Sequence, residues 1–170
     1  MRDIWYIKDN KRTKEINKKE IVDNQFRKNL RKGGTVLTEK LIDNDFVMFD
    51  LEADSAEEVI RKMADVMEQN DRLIDKEMYV ADVLQREKVS GTAVGFSVAT
   101  PHAKSEGVKY ETLAFAHLKK PIVWDGREEV SIIFMIGVPS PAAGNRHLEI
   151  LASLFRKVIY DDFREKLVEA

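Results

Sequence analysis

The chain contains no cysteine. Disulfides and thiolate metal sites are therefore excluded, and the composition fits a reducing cytoplasm. No stretch approaches the roughly 18–20 consecutive apolar residues that a membrane helix requires, so direct membrane insertion is not expected. Met1-Arg2-Asp3-Ile4-Trp5-Tyr6 lacks the long apolar core of a secretory signal. Only three histidines occur, and none forms an H-E-x-x-H pair, so there is no case for zinc. Neither a G-x-x-x-x-G-K-[ST] loop nor a dinucleotide fingerprint is present, and no cofactor is expected. Neither an internal repeat nor a low-complexity tract is visible.

What remains is a chain of 170 residues, 44% hydrophobic and 34% charged. That suits one compact domain with room for a short extension. The net charge of −2 hides an asymmetry. Residues 1–40 hold 12 Lys/Arg against 6 Asp/Glu, whereas residues 41–170 hold 16 against 24. A basic arm on an acidic body is one signature of nucleic-acid binding. Here acids are scattered through the arm and no motif organises the bases, so residues 1–36 read as a solvated extension or linker. The run Lys8–Lys19 is too polar to bury a core. Ile21, Val22, Phe26 and Leu30 have the spacing of a short amphipathic helix, which Gly33-Gly34 would end. The main domain is expected over residues 37–170.

Within that domain Phe46–Phe49 reads as a short buried strand. Ser55 with Glu58 forms a capping box for a helix that buries Val59, Ile60, Met63, Ala64, Val66 and Met67 and ends near Asn70. Asp75 caps a second helix running to about Glu87. Val94–Ala99 is expected to be a strand ending abruptly at Thr100-Pro101, and Leu113–Leu118 another, which Pro121 interrupts. Asp125-Gly126 signals a turn. Val130–Val138 reads as a buried central strand. Asn145 caps a helix burying Leu148, Ile150, Leu151, Leu154, Phe155 and Val158, and a last short helix starts at Asp161. The mixture of helices and strands predicts an α/β layered domain.

His102 follows Pro101 at the expected strand end, on a backbone stiffened by proline. Strand ends in open α/β sheets are where sites tend to lie. An imidazole ordinarily titrates near pH 6.5, so its neutral form is available as a nucleophile at neutral pH. From this spacing alone His102 reads equally well as an ordinary hydrogen-bonded histidine. His147 falls in the first turn of the Asn145 helix, where free N–H groups favour anions and the helix end disfavours imidazolium. Taken alone it is better read as a polar first-turn residue. Arg86 has the group suited to holding phosphate, but a cation also suits a helix C-terminus. Ser90 and Thr92 offer hydroxyls to an anion, or are simply loop residues. His117 reads as a strand residue with a satisfied hydrogen bond.

The segment Arg86-Glu87-Lys88-Val89-Ser90-Gly91-Thr92-Ala93-Val94-Gly95-Phe96-Ser97-Val98-Ala99-Thr100-Pro101-His102-Ala103 resembles the signature of enzyme IIA of the bacterial phosphotransferase system. The likeness is to the fructose/mannitol class, which includes nitrogen-regulatory members. It departs at Thr100, where an apolar residue is usual, and at Phe96, where mannitol-type members often carry an acid. The resemblance continues through Asp125-Gly126-Arg127-Glu128-Glu129-Val130, His147-Leu148-Glu149-Ile150-Leu151 and Asp162-Phe163-Arg164. It covers 37–170 and leaves out 1–36.

The resemblance implies an α/β sandwich with a mixed central sheet flanked by helices. It implies a phosphocarrier whose His102 takes a phosphoryl group from phospho-HPr and passes it to a IIB domain for uptake of a fructose-like sugar, with the IIC permease an indirect partner. Arg86 would stabilise the transferring charge and His147 would orient His102. Phosphoryl transfer is mostly positioning and charge neutralisation, so these groups suffice in principle. The alternative is a regulatory IIA domain, nitrogen-type or part of a transcription activator, whose phosphorylation state controls partner binding.

Overall fold

A computed structural model of the chain describes residues 4–9, 12–17, 44–126 and 128–140, together with 149, 152, 156, 160–162, 164 and 165. Strands β1 (Ile4–Asp9) and β2 (Arg12–Asn17) come first. After a 3-10 turn at Asn44–Phe46 come strand β3 (Val47–Leu51), helix α1 (Ala56–Gln69) and helix α2 (Lys76–Val89). Strands β4 (Val98–Ala99), β5 (His102–Ser105), β6 (Thr112–Val123) and β7 (Glu129–Pro139) follow.

Both helices start where their capping residues predict. The Ser55 hydroxyl accepts the Glu58 N–H at 3.2 Å, and the Asp75 carboxylate accepts the Met78 N–H at 3.0 Å. Each satisfies an N–H that the first helical turn leaves without a partner. The Glu58 carboxylate takes the N–H of Asp54 at 2.8 Å rather than that of the cap itself. The second helix runs two residues past Glu87, to Val89.

The five-stranded sheet is mixed. Its order is β3–β6–β7–β4, with β5 also on β7. β3 runs parallel to β6 and β6 antiparallel to β7, while β4 and β5 run parallel to β7. One face of β6 and β7, carrying Ala114, Ala116, Leu118, Ile133 and Met135, packs with Val59, Ile60, Met63 and Met67 of α1 and Tyr79, Val80 and Val83 of α2. Alternation sends Leu113, Phe115, Phe134 and Ile136 to the other face, where they too are buried. There the Phe115 ring lies 5.4 Å from that of Phe134 and 5.9 Å from that of Phe49. Burial of both faces explains why Val130–Val138 reads as a continuous apolar run. The expected layered α/β architecture with a mixed central sheet is the one observed.

Three local expectations change. The segment expected as a strand over Val94–Ala99 is a strand only at Val98–Ala99. Gly95, Phe96 and Ser97 have φ of 85°, 57° and 60°, a left-handed turn closed by Val94 N–H to the Val98 carbonyl at 2.9 Å. That strand does end at Thr100-Pro101, and β5 resumes beyond the proline in the same register on β7. Val98 and Ala99 pair with Ile132 and Ile133, and His102 and Ala103 pair with Ile136 and Gly137 on the same register. Pro101 has no N–H to give, but its carbonyl accepts the Ile136 N–H at 3.0 Å, so the ladder carries on past it. β6 continues through Pro121, with an irregularity between His117 and Ile122. The proline is exposed and lies past the last β3 pairing at Leu118, where a strand tolerates a missing donor.

The third change is at the N-terminus. The polar run read as solvated extension includes an antiparallel hairpin of β1 and β2, from Ile4↔Asn17 to Asp9↔Arg12. Ile4-Trp5-Tyr6-Ile7 has the β-branched and aromatic content that favours strands. The expected helix over Ile21–Leu30 lies outside the described residues. So do the Asn145 cap and most of the helix it would start, in which Glu149, Ala152 and Arg156 are helical.

Candidate functional site around His102

His102 opens β5 beside Ile136 and is 8% exposed. Ala99 and Ala103 lie in the cluster under α1 and α2. Strand alternation therefore turns His102 to the opposite face, with Ile132, Phe134 and Ile136. Its Nδ1 lies 2.7 Å from the carbonyl oxygen of Thr100. A carbonyl only accepts, so Nδ1 carries the proton and donates. In the neutral ring the lone pair is then on Nε2.

The carbonyl that selects this tautomer is itself held. Thr100 is buried, and its N–H donates to the Thr92 carbonyl at 3.0 Å. Thr92 in turn gives its N–H to Glu87 Oε2 at 3.1 Å, and its hydroxyl donates to Glu87 Oε1. The indole N–H of Trp124 reaches the same carboxylate at 3.2 Å. Gly91 packs closely on Asp125, so the loop after α2 and the turn after β6 are neighbours.

Arg86 occupies the last turn of α2 and donates from Nη1 to the Ser90 carbonyl at 2.8 Å, satisfying an end-of-helix carbonyl. Ser90 is exposed. Thr92 is 4% exposed, and its hydroxyl proton is already given to Glu87. His117 is half-buried on β6 opposite Ile132. His147 lies outside the described residues. The departing residue Phe96 is exposed in its left-handed turn, with the Arg164 guanidinium 4.1 Å above its ring.

Sequence reading missed Glu87 and Trp124 as members of this arrangement. One signal was available. An acid in the last turn of a helix opposes the helix dipole and needs compensation. Among the described residues no group of three His, Asp or Glu is placed to hold a metal, and no described helix is long and apolar enough to cross a membrane. A cleft of about 370 Å³ lies at the β3 side of the sheet, lined by Glu52, Asp54, Lys119 and Lys120. It is two strands from β5, and its Lys119 and Glu52 neutralise each other at 2.6 Å.

The fold and site define a mixed-sheet α/β domain that displays a histidine bonded through Nδ1 to a backbone carbonyl, directly after a proline. The family described as phosphoenolpyruvate-dependent sugar phosphotransferase system, EIIA 2, matches residues 40–170. The chain belongs to this family, a component of a phosphotransferase system. It is 40% identical over 101 residues to the PTS system fructose-specific EIIA component of Haloferax volcanii, covering 58% of this chain and 65% of that protein. It is 38% identical over 122 residues to multiphosphoryl transfer protein 2 of Escherichia coli K12, covering 71% of this chain but 14% of that much longer protein. Among solved structures, nitrogen regulatory protein IIA-Ntr of Neisseria meningitidis superposes with a TM-score of 0.63 at 28% identity, over 75% of this chain and 87% of that one. The chain thus spans less than two thirds of the length of both curated relatives.

Proposed function

We propose that residues 37–170 form a cytoplasmic phosphohistidine carrier, with residues 1–36 an extension to it. In this reading His102 accepts a phosphoryl group from phospho-HPr and passes it to a IIB domain, in the uptake of a fructose-like sugar through a IIC permease. The observation that carries the proposal is the 2.7 Å bond from His102 Nδ1 to the Thr100 carbonyl, which puts the nucleophilic lone pair on Nε2.

The step balances without an added reactant. The Nε2 lone pair attacks phosphorus as the donor's P–N bond breaks, and the donor imidazole leaves with that electron pair. His102 keeps its Nδ1 proton, so its ring becomes cationic, and the Thr100 carbonyl dipole stabilises the charge. In the second transfer the Nε2–P bond breaks toward the acceptor and the neutral ring returns. Arg86 neutralises charge on the moving phosphoryl group, and His147 assists the orientation of His102. Ser90 offers an exposed hydroxyl to the phosphate. The hydroxyl proton of Thr92 serves Glu87 instead. Similarity to a fructose-specific EIIA component supports the sugar assignment.

The likeness to nitrogen regulatory IIA-Ntr favours a second reading, in which the same phosphorylation controls partner binding. Both share one test. Incubation with phosphoenolpyruvate, enzyme I and HPr should place an acid-labile phosphoryl group on the parent chain and none on His102→Ala. Equal labelling of His102→Ala would refute the assignment.

A further inference from the structure

We infer that Glu87 is a positioning residue for His102, acting through two intervening threonines; the inference rests on the phosphocarrier reading of His102. Glu87 is half-buried in the last turn of α2, where the negative helix end opposes a carboxylate. Three donors offset that cost: the backbone N–H and the hydroxyl of Thr92, and the indole N–H of Trp124. Two of the three come from one residue, so Thr92 is held at both its backbone and its side chain. The Thr92 carbonyl accepts the Thr100 N–H at 3.0 Å. The Thr100 carbonyl then accepts His102 Nδ1–H at 2.7 Å. An unbroken series of hydrogen bonds therefore runs from the carboxylate to the ring nitrogen opposite the nucleophile. Its consequence is chemical as well as structural. If Thr100 turns, Nδ1 loses its acceptor and the ring is released to the other tautomer, whose Nε2 carries a proton and cannot attack phosphorus.

Thr100 stands where an apolar residue is usual in the signature, and its own hydroxyl lies 3.5 Å from the Thr92 carbonyl. This chain thus has a second, longer tether at the same link, and Glu87 governs the shorter ones.

The test uses the full chain with 15N-labelled histidine and two variants. Glu87→Gln can keep the Thr92 N–H and the Trp124 N–H on its amide oxygen, but its N–H₂ can meet the Thr92 hydroxyl only by donating to it, and without the carboxylate charge all three bonds weaken. Thr92→Val removes only the hydroxyl and keeps the backbone N–H and carbonyl. In the parent, the His102 ring spectrum should show one tautomer, protonated at Nδ1. In Glu87→Gln it should show a mixture, and phosphoryl uptake from phospho-HPr should slow by about tenfold, or about 1.4 kcal/mol of barrier. The half-saturating HPr concentration should stay within about twofold. Thr92→Val should shift the tautomers the same way with a smaller slowing, about threefold, and stands in if Glu87→Gln does not fold. A parent-like ring spectrum and uptake rate in the folded variants would overturn the inference. A parent chain that takes up no phosphoryl group would instead sink the phosphocarrier reading. The ring spectrum of the unphosphorylated protein would still decide whether Glu87 governs the tautomer.

Discussion

Removing one oxygen atom, in Tyr79→Phe, should change stability in two separable ways of opposite sign. Tyr79 is fully buried on α2, and its hydroxyl donates to the Ile136 carbonyl at 2.9 Å. The substitution keeps the ring, so no large cavity opens and the loss is the hydrogen bond alone. A buried carbonyl left short of a donor costs about 1–2 kcal/mol. For a chain of this size that is a fall of about 2–8 °C in Tm. The second effect is alkaline. Burial pushes the Tyr79 phenol far above its ordinary value, whereas in the unfolded chain it ionises near pH 10. Above that pH the unfolded state releases a proton that the folded state keeps. Fewer protons bound in the unfolded state means that stability falls as pH rises, by about 1.4 kcal/mol per pH unit. Below pH 10 the group contributes no slope. Urea melts of parent and Tyr79→Phe at pH 7, 9.5 and 11 read both effects. The parent should lead at pH 7, and the variant should have recovered most of the difference, or passed the parent, by pH 11. Subtracting the two curves cancels every other titrating group. Phosphoryl uptake at pH 7 should be unchanged, because the bond from Nδ1 to Thr100 is untouched. Parallel curves from pH 9.5 to 11 would refute the burial argument, and equal stability at pH 7 would refute the hydrogen-bond argument.

Arg86→Ala should slow phosphoryl uptake by roughly 100-fold, the low end of the effect of losing a charge-stabilising donor. Its cost in stability should stay below about 1 kcal/mol, since only the bond to the Ser90 carbonyl is lost. An unchanged single-turnover rate would remove Arg86 from the site. Gly107→Ala should destabilise by about 1–3 kcal/mol in urea melts. Its Cβ would lie 2.4 Å from the Asp75 carbonyl oxygen and 2.9 Å from the Tyr79 nitrogen, which are backbone atoms that yield only if α2 shifts. A variant as stable as the parent would mean that this contact between helix and turn is loose.

The helices were legible because their signals are local. Ser55 and Asp75 lie within three residues of the N–H groups they satisfy, and the apolar spacing of Val59–Met67 marks one buried face. β7 was legible because burial on both faces leaves a run that is apolar throughout. His102 and Arg86 were singled out as candidates through the signature they share. The N-terminal hairpin is equally local in its pairing, but the polarity of Lys8–Lys19 outweighed the strand-forming Ile4–Ile7 in the reading.

Sequence by itself determined the family, the helix starts and the central strand, and it singled out His102 as the candidate nucleophile. These follow from short-range capping, periodicity and a spaced motif. Only the tertiary structure decided that β5, which opens on His102, keeps the register of β4 beyond Pro101, because a ladder's register depends on its partner, here β7. Only it decided the tautomer of His102 and the part taken by Glu87. Those rest on hydrogen bonds joining residues 87, 92, 100, 102 and 124, which come together only after the loop after α2 packs against the turn after β6.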